Sequence, residues 1–244
     1  NGTDASTAAT GQTVTLDGKT QTILTTTPSN NNEFFAWYVS YDEGATYSIL
    51  SKTTPYTCTF EKDAIVYAQF IPSDAALFII KGVDGEEYWN LNEACTKALS
   101  SSKVVLPKDN GTLYPLVDGE LCTNPKDKIV TPYTIPSSVT LLIPYEATYK
   151  NSTNEPEVTS GTTKPTKYRQ LTLASGCVID VEGAVCVNAK MTDNQSTNGA
   201  TWGESGIINM SEGAKIVLKK NTSAKLYCWG AIVGTGEIVA ESSS

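Results

Sequence analysis

The stretch Leu171–Lys190, "LTLASGCVIDVEGAVCVNAK", decides how the chain is read. Short β-branched runs, each closed by a small-residue turn, follow one another with no room for a helix. Strands so brief fit a fold in which each is one side of a repeating turn of chain. Residues 132–145, 170–183 and 207–220 overlay without gaps, so that Ser138, Gly176 and Gly213 coincide. Leu141, Ile179 and Ile216 then align, followed two residues later by Ile143, Val181 and Leu218, as one face of a strand should. A shorter echo, "IVGTGEIVA", adds Gly236 and Ile238. Two polar excursions, 150–167 and 192–205, interrupt the plan. Without roughly fourteen residues of each, the repeat is about 22 to 24 residues, the size of a solenoid turn. Equivalent strands would stack ~4.8 Å apart, as in a parallel sheet. The expectation is a right-handed parallel β-helix. An antiparallel sandwich is the alternative, and it leaves the shared register of apolar positions unexplained.

Composition narrows the function classes. The 244 residues carry a formal net charge of −8, with 26 acidic against 18 basic residues. Nucleic acid and anionic membrane surfaces are held by clustered Lys and Arg, so neither is an expected partner. Arg169 is the one arginine, and histidine is absent. No run has the 18 or so apolar residues that span a bilayer. The opening "NGTDASTAATGQT" resembles a linker, and the expectation is an extracellular protein whose secretion signal or lipoprotein anchor has been removed. Six cysteines without a C-x-x-C pair or a histidine argue against a zinc site. They are too sparse for a disulfide scaffold, so buried free thiols are expected ahead of bridges.

Two segments have different habits. Residues 1–73 form a small all-β module behind a linker of about ten residues, with strand-like runs at 13–16, 21–27, 33–40, 56–60 and 64–70. Residues 74–244 hold the repeats, preceded by one helix over about 91–101. Asn90 or Asn92 can cap that helix, and Leu91, Ala94, Cys95, Ala98 and Leu99 form its apolar stripe. Its expected role is to plug the first turn, whose apolar end and free backbone groups would otherwise meet water. The chain trails off as "ESSS" without a second plug, so it is expected to be the front part of a longer protein.

Two resemblances add to this. Residues 33–70, with Phe34 or Phe35, Trp37, Tyr38, Gly44, Tyr67, Ala68 and Phe70, resemble the divergent internalin B-type repeat of bacterial surface proteins. Ala36 stands where that repeat usually has Gly. The likeness implies an extracellular spacer or adhesive module. Leu91–Ala94, Ala98, Val104–Leu106 and Ile135–Tyr145 resemble the start of the pectate-lyase-like β-helix domains found in surface proteins of anaerobic bacteria.

Many β-helices cleave polysaccharides, and that chemistry makes specific demands on the ionisable residues. Lyases of that fold need an Arg or Lys base beside calcium-binding carboxylates, and the hydrolases need clustered acids. Asp180, Glu182, Asp193, Glu212 and Glu237 are dispersed, and Asp180 alternates onto the outer face with Val217 as its counterpart. Arg169 reads as a solvated strand edge. "GTGE" (234–237) lacks the helix that a phosphate loop needs, and "DGEE" (84–87) lacks the alternating oxygen ligands of a calcium loop. No catalytic, cofactor or metal residue is therefore assigned. Trp202, in the second polar excursion, and Tyr168, at the end of the first, are candidates for stacking on glycan rings. Trp37, Trp89 and Trp229 read as core. The function expected is non-catalytic: an adhesin-like or structural spacer on the bacterial surface, bound to an unidentified host or microbial glycan or protein. A carbohydrate-binding or polysaccharide-cleaving protein is the alternative.

Overall fold

The structure is a computed structural model that describes residues 10–16, 19–28, 31–144, 149–150, 155–156, 169–188 and 206–242. The described residues are predominantly β, with one helix, and the chain divides into two compact units, residues 1–73 and 74–244.

The first unit holds two antiparallel sheets. One joins β1 (Thr10–Leu16), β2 (Lys19–Thr25) and β5 (Tyr56–Cys58); the other joins β3 (Asn32–Ser40), β4 (Ser48–Ser51) and β6 (Ile65–Pro72). Strand β4 is absent from the sequence reading, since "SILS" is too short to show a period. Trp37, Val39 and Ile71 are buried with Ala36 and Phe35. The β3–β4 turn is tied by Asp42, whose carboxylate accepts from the Thr46 hydroxyl at 2.5 Å, its amide at 2.9 Å and the Ser40 hydroxyl at 2.7 Å.

The second unit begins with β7 (Phe78–Ile80) and α1 (Leu91–Ala98). Asn90 caps the helix by accepting from the Asn92 amide at 2.9 Å. Leu91, Ala94, Cys95 and Ala98 are buried as the apolar stripe requires, whereas Leu99 is exposed. The helix stops short of residue 101 because Lys103 adopts a left-handed φ of 61° and returns its N–H to the Ala98 carbonyl, turning the chain away.

Next come β8 (Val104–Pro107), β9 (Gly111–Leu113), the hairpin of β10 (Leu116–Val117) with β11 (Glu120–Leu121), β12 (Tyr133–Ile135) and β13 (Thr140–Ile143). A small hairpin pairs β14 (Tyr149–Lys150) with β15 (Glu155–Pro156). The remaining strands are β16 (Gln170–Leu173), β17 (Val178–Val181), β18 (Ala184–Val187), β19 (Ile207–Met210), β20 (Lys215–Leu218), β21 (Lys225–Cys228), β22 (Ala231–Gly234) and β23 (Glu237–Ala240).

From β16 onward the chain visits three sheets in rotation. The first sheet runs β9-β16-β19-β22, the second β12-β17-β20-β23, and the third β8-β13-β18-β21, with β7 added antiparallel at its edge. All other pairings in these three sheets are parallel and in register, for example Ile179 with Ile216 and Ile216 with Ile238. Alternate residues point inward, so Leu171 and Ile208, Ile179 and Ile216, and Leu141 and Val185 form buried aliphatic ladders. Each such side chain stabilises the fold by about 1.5–3 kcal/mol relative to exposure.

One alignment differs from the sequence reading. Leu141 and Ile143 pair with Val185 and Val187, and it is Tyr133 that pairs with Ile179. The overlay of residues 132–145 slips by one strand because the strands of all three sheets share the same in–out pattern. Periodicity alone does not distinguish one side from the next.

The edge formed by the earliest strands is closed on all three sheets. Strand β7 covers β8, Ala76 N–H donates to Thr112 on β9 at 2.8 Å, and the Asn92 side chain accepts from the Thr134 amide on β12 at 2.7 Å. Helix α1 packs against β7, β8 and β12. At the opposite edge, no described residue pairs with the outer sides of β21, β22 or β23.

Glycines permit the tight corners. A Cβ at Gly183 would collide with the carbonyl oxygens of Pro136 and Val139. Gly183→Ala should therefore cost about 3 kcal/mol or prevent folding. Gly82→Ala, at a φ of 76° with open space around it, should cost only about 1–2 kcal/mol. Urea denaturation of both variants checks the difference, and equal losses would contradict the close stacking at Gly183.

Candidate functional site

Both polar excursions leave the third sheet and return to the first: residues 145–168 lie between β13 and β16, and 189–205 between β18 and β19. The neck of the second is closed by the Gly206 N–H donating to the Asn188 carbonyl at 2.7 Å. Tyr168 and Trp202, the two glycan-stacking candidates, lie outside the described residues.

Arg169, immediately before β16, is buried rather than solvated. Its Nη1 lies 3.4 Å from the Asp109 carboxylate, and its carbonyl accepts from the Ile207 amide at 2.9 Å. A guanidinium so enclosed braces a corner of the fold, and the strand-edge reading is corrected accordingly. Its burial follows from inward parity, since the residues after it alternate with Leu171 facing the interior.

Among the described residues, the largest group of paired charges lies on the outer face of the second sheet and just beyond its strand ends. Lys219 Nζ lies 2.5 Å from Glu241 and 3.5 Å from Asp180, while Lys215 lies 2.9 Å from Glu237. The hydrogen bond from Lys219, followed by that from the Lys220 amide, holds the Glu241 carboxyl below the usual carboxylate range. A general acid needs the opposite displacement. Asp74 accepts from the Thr112 hydroxyl at 3.0 Å and from the Tyr114 hydroxyl at 2.9 Å. Burial first, and then that bond to Asp74, push the Tyr114 hydroxyl up to about 12. Among the described residues no three Cys, Asp or Glu side chains gather as a metal site, and the "DGEE" turn joins no such group.

The aromatic side chains divide differently from the sequence reading. Trp37 and Trp89 are buried, but Trp229 is 55% exposed. The register explains the correction. Leu226 pairs with inward Val185 and Tyr227 with outward Cys186, so Trp229, two residues beyond Tyr227, also points outward. The Tyr227 and Trp229 rings are parallel, 6° apart with centroids 5.5 Å apart. The alternation in "KLYCWG" was the available signal, and it was obscured by the usual burial of tryptophan. In the first unit, Tyr38 stacks on Tyr67 at 5.2 Å, and Tyr47 meets Tyr67 edge-on at 5.0 Å.

Compared with known families, curated proteins and solved structures, the chain matches none. No helix among the described residues is long and apolar enough to cross a membrane.

The six cysteines are unbridged, with Cys95 and Cys177 buried, Cys228 exposed and the others in between. Burial pushes the Cys95 and Cys177 thiols up to about 12, which suppresses the reactive thiolate. At pH 8, thiol-labelling mass spectrometry should modify Cys228 first and leave Cys95 and Cys177 unmodified until denaturant is added. Fast labelling of Cys177 in the native protein would contradict its place inside the sheets.

Proposed function

We propose that this chain is a non-catalytic module of a bacterial surface protein, adhesin-like or a spacer. In this reading, a small internalin B-type repeat precedes a right-handed parallel β-helix plugged by α1, and the protein works outside the cell. The three in-register parallel sheets visited in rotation support the winding, and right-handed crossovers are the strong rule for parallel strands. The glycine contacts at the corners support closely stacked turns. The observation that carries the functional part is the outer surface of the sheets. Its carboxylates are spread out or matched to lysines, as Glu241 and Asp180 are to Lys219. Paired acids with separated proton affinities would be needed for sugar hydrolysis, and a poised base beside a cation for elimination.

Carbohydrate binding without cleavage is the second reading, favoured by the exposed Tyr227–Trp229 pair. A panel of polysaccharides assayed for reducing ends and for unsaturated products, with and without calcium, tests the first reading. No product above the protein-free blank is expected. Turnover abolished by Lys219→Ala would overturn it.

A further inference from the structure

We propose that β23 is an acid-labile latch: a strand pinned to β20 by a carboxylate–lysine contact at each end, which opens from its Glu241 end when that carboxylate takes up a proton. The inference goes beyond the reading above and does not depend on what the chain binds.

Two observations set β23 apart. Its apolar anchorage is thin: Glu237 and Ala240 are exposed, Val239 is half-buried, and Ile238 is 49% exposed although its neighbour Ile216 is fully buried. Among the described residues it pairs with β20 alone, whereas β17 and β20 each lie between two strands. Charge is concentrated at its ends instead. Lys215, at the start of β20, lies 2.9 Å from Glu237, at the start of β23. Just past the other ends, Lys219 Nζ lies 2.5 Å from Glu241 Oε1, and the Lys220 amide donates to Glu241 Oε2 at 3.2 Å. The Glu237 N–H donates to the Ala214 carbonyl at 2.9 Å, and the Glu241 N–H to the Leu218 carbonyl at 3.0 Å. Each end of the strand thus carries a backbone bond and an ion pair on the same residue.

Acid acts through Glu241. Its carboxylate faces Lys219 and Lys220, which follow β20, and Lys219 also lies 3.5 Å from Asp180 on β17. The hydrogen bond from Lys219, then that from the Lys220 amide, hold the Glu241 carboxyl below the ordinary glutamate value of 4.5. A carboxyl depressed in the folded state contributes its stability above the ordinary value and loses it as pH falls through the lower, folded one. Lys219, whose proton the same bond holds more tightly, stays cationic throughout that range. Once Glu241 is neutral, Lys219 keeps Asp180 as its partner, so it stays with β17 while β23 is let go. Exposed ion pairs contribute little to a whole fold. An end strand opens locally, however, and there a small change moves the open population several-fold. Opening bares the backbone groups of β20 that β23 had paired, so acid turns an inner strand into an edge.

The test is amide hydrogen exchange followed by nuclear magnetic resonance on the whole chain at pH 6 and pH 3.5, with each rate compared with the intrinsic rate at that pH. On acidification the Glu241 amide should lose protection about two- to fivefold. The Lys215 and Lys219 amides, which donate to the Cys177 and Val181 carbonyls at 2.8 and 2.9 Å, should keep theirs. Glu241→Gln at pH 6 should reproduce the loss and abolish its pH dependence, and Lys219→Met should reproduce the loss. Lys215→Met should lower protection at the Glu237 amide and leave the pH response of Glu241 in place. A Glu241 amide already unprotected at pH 6, equal protection at the two pH values, or pH dependence surviving in Glu241→Gln would each overturn the proposal. Equal losses at Lys215, Lys219 and Glu241 would also overturn it, since they would mark acid weakening of the whole unit rather than the opening of one strand.

Discussion

Backbone pairing between equivalent strands, parallel and without slippage, is the constraint on which the second unit depends. Because side chains alternate with a period of two, a one-residue shift would turn Ile179, Ile216 and Ile238 outward together and bring Asp180 and Val217 inside. Register is held from both sides of the sheet. Inside, aliphatic side chains stack on their own kind; at the corners, Gly183 and Gly206 lie so close to carbonyl groups of the preceding strand pair that no larger residue fits. Polar pairs on the outer face, such as Lys215 with Glu237, follow from that register and add little to it.

The same constraint makes the two edges of the sheets unlike. Parallel strands leave their outer N–H and C=O groups unpaired, and at the early edge three different devices answer that need: an antiparallel strand, a bridge near Ala76 and the Asn92 carboxamide. The short helix thus does more than pack its apolar stripe against β7, β8 and β12. Asn90 closes its own N-terminus while Asn92 reaches across to β12, so adjacent asparagines serve separate elements.

Much of this was legible in the sequence, and the failures share one cause. The apolar alternation of Val178–Val181 and Lys215–Leu218 announced paired strands, and Asn90 with the Leu91–Ala98 stripe announced the helix. The strand 140–143 aligns by pattern to the wrong sheet because the strands of all three sheets carry the same alternating code. Local pattern identifies a side but not which one. Trp229 and Arg169 depart from the sequence reading for a related reason: by residue type a tryptophan reads as core and an arginine as surface, whereas parity assigns the reverse. Reading outward from Leu226 and Leu171 puts both on the faces they occupy. Tyr168 and Trp202 lie outside the described residues, and the exposed pair Tyr227–Trp229 joins a residue the sequence reading leaves unassigned to one it places in the core.

The most direct test of the winding is a set of backbone nuclear Overhauser contacts across successive strands. Equivalent stacked turns predict parallel-type contacts linking Leu171 to Ile208 and Ile208 to Ile232, and likewise Ile179 to Ile216 and Ile216 to Ile238. Close Hα–Hα contacts diagnostic of antiparallel neighbours in those strands, or pairings displaced by one residue, would contradict the account.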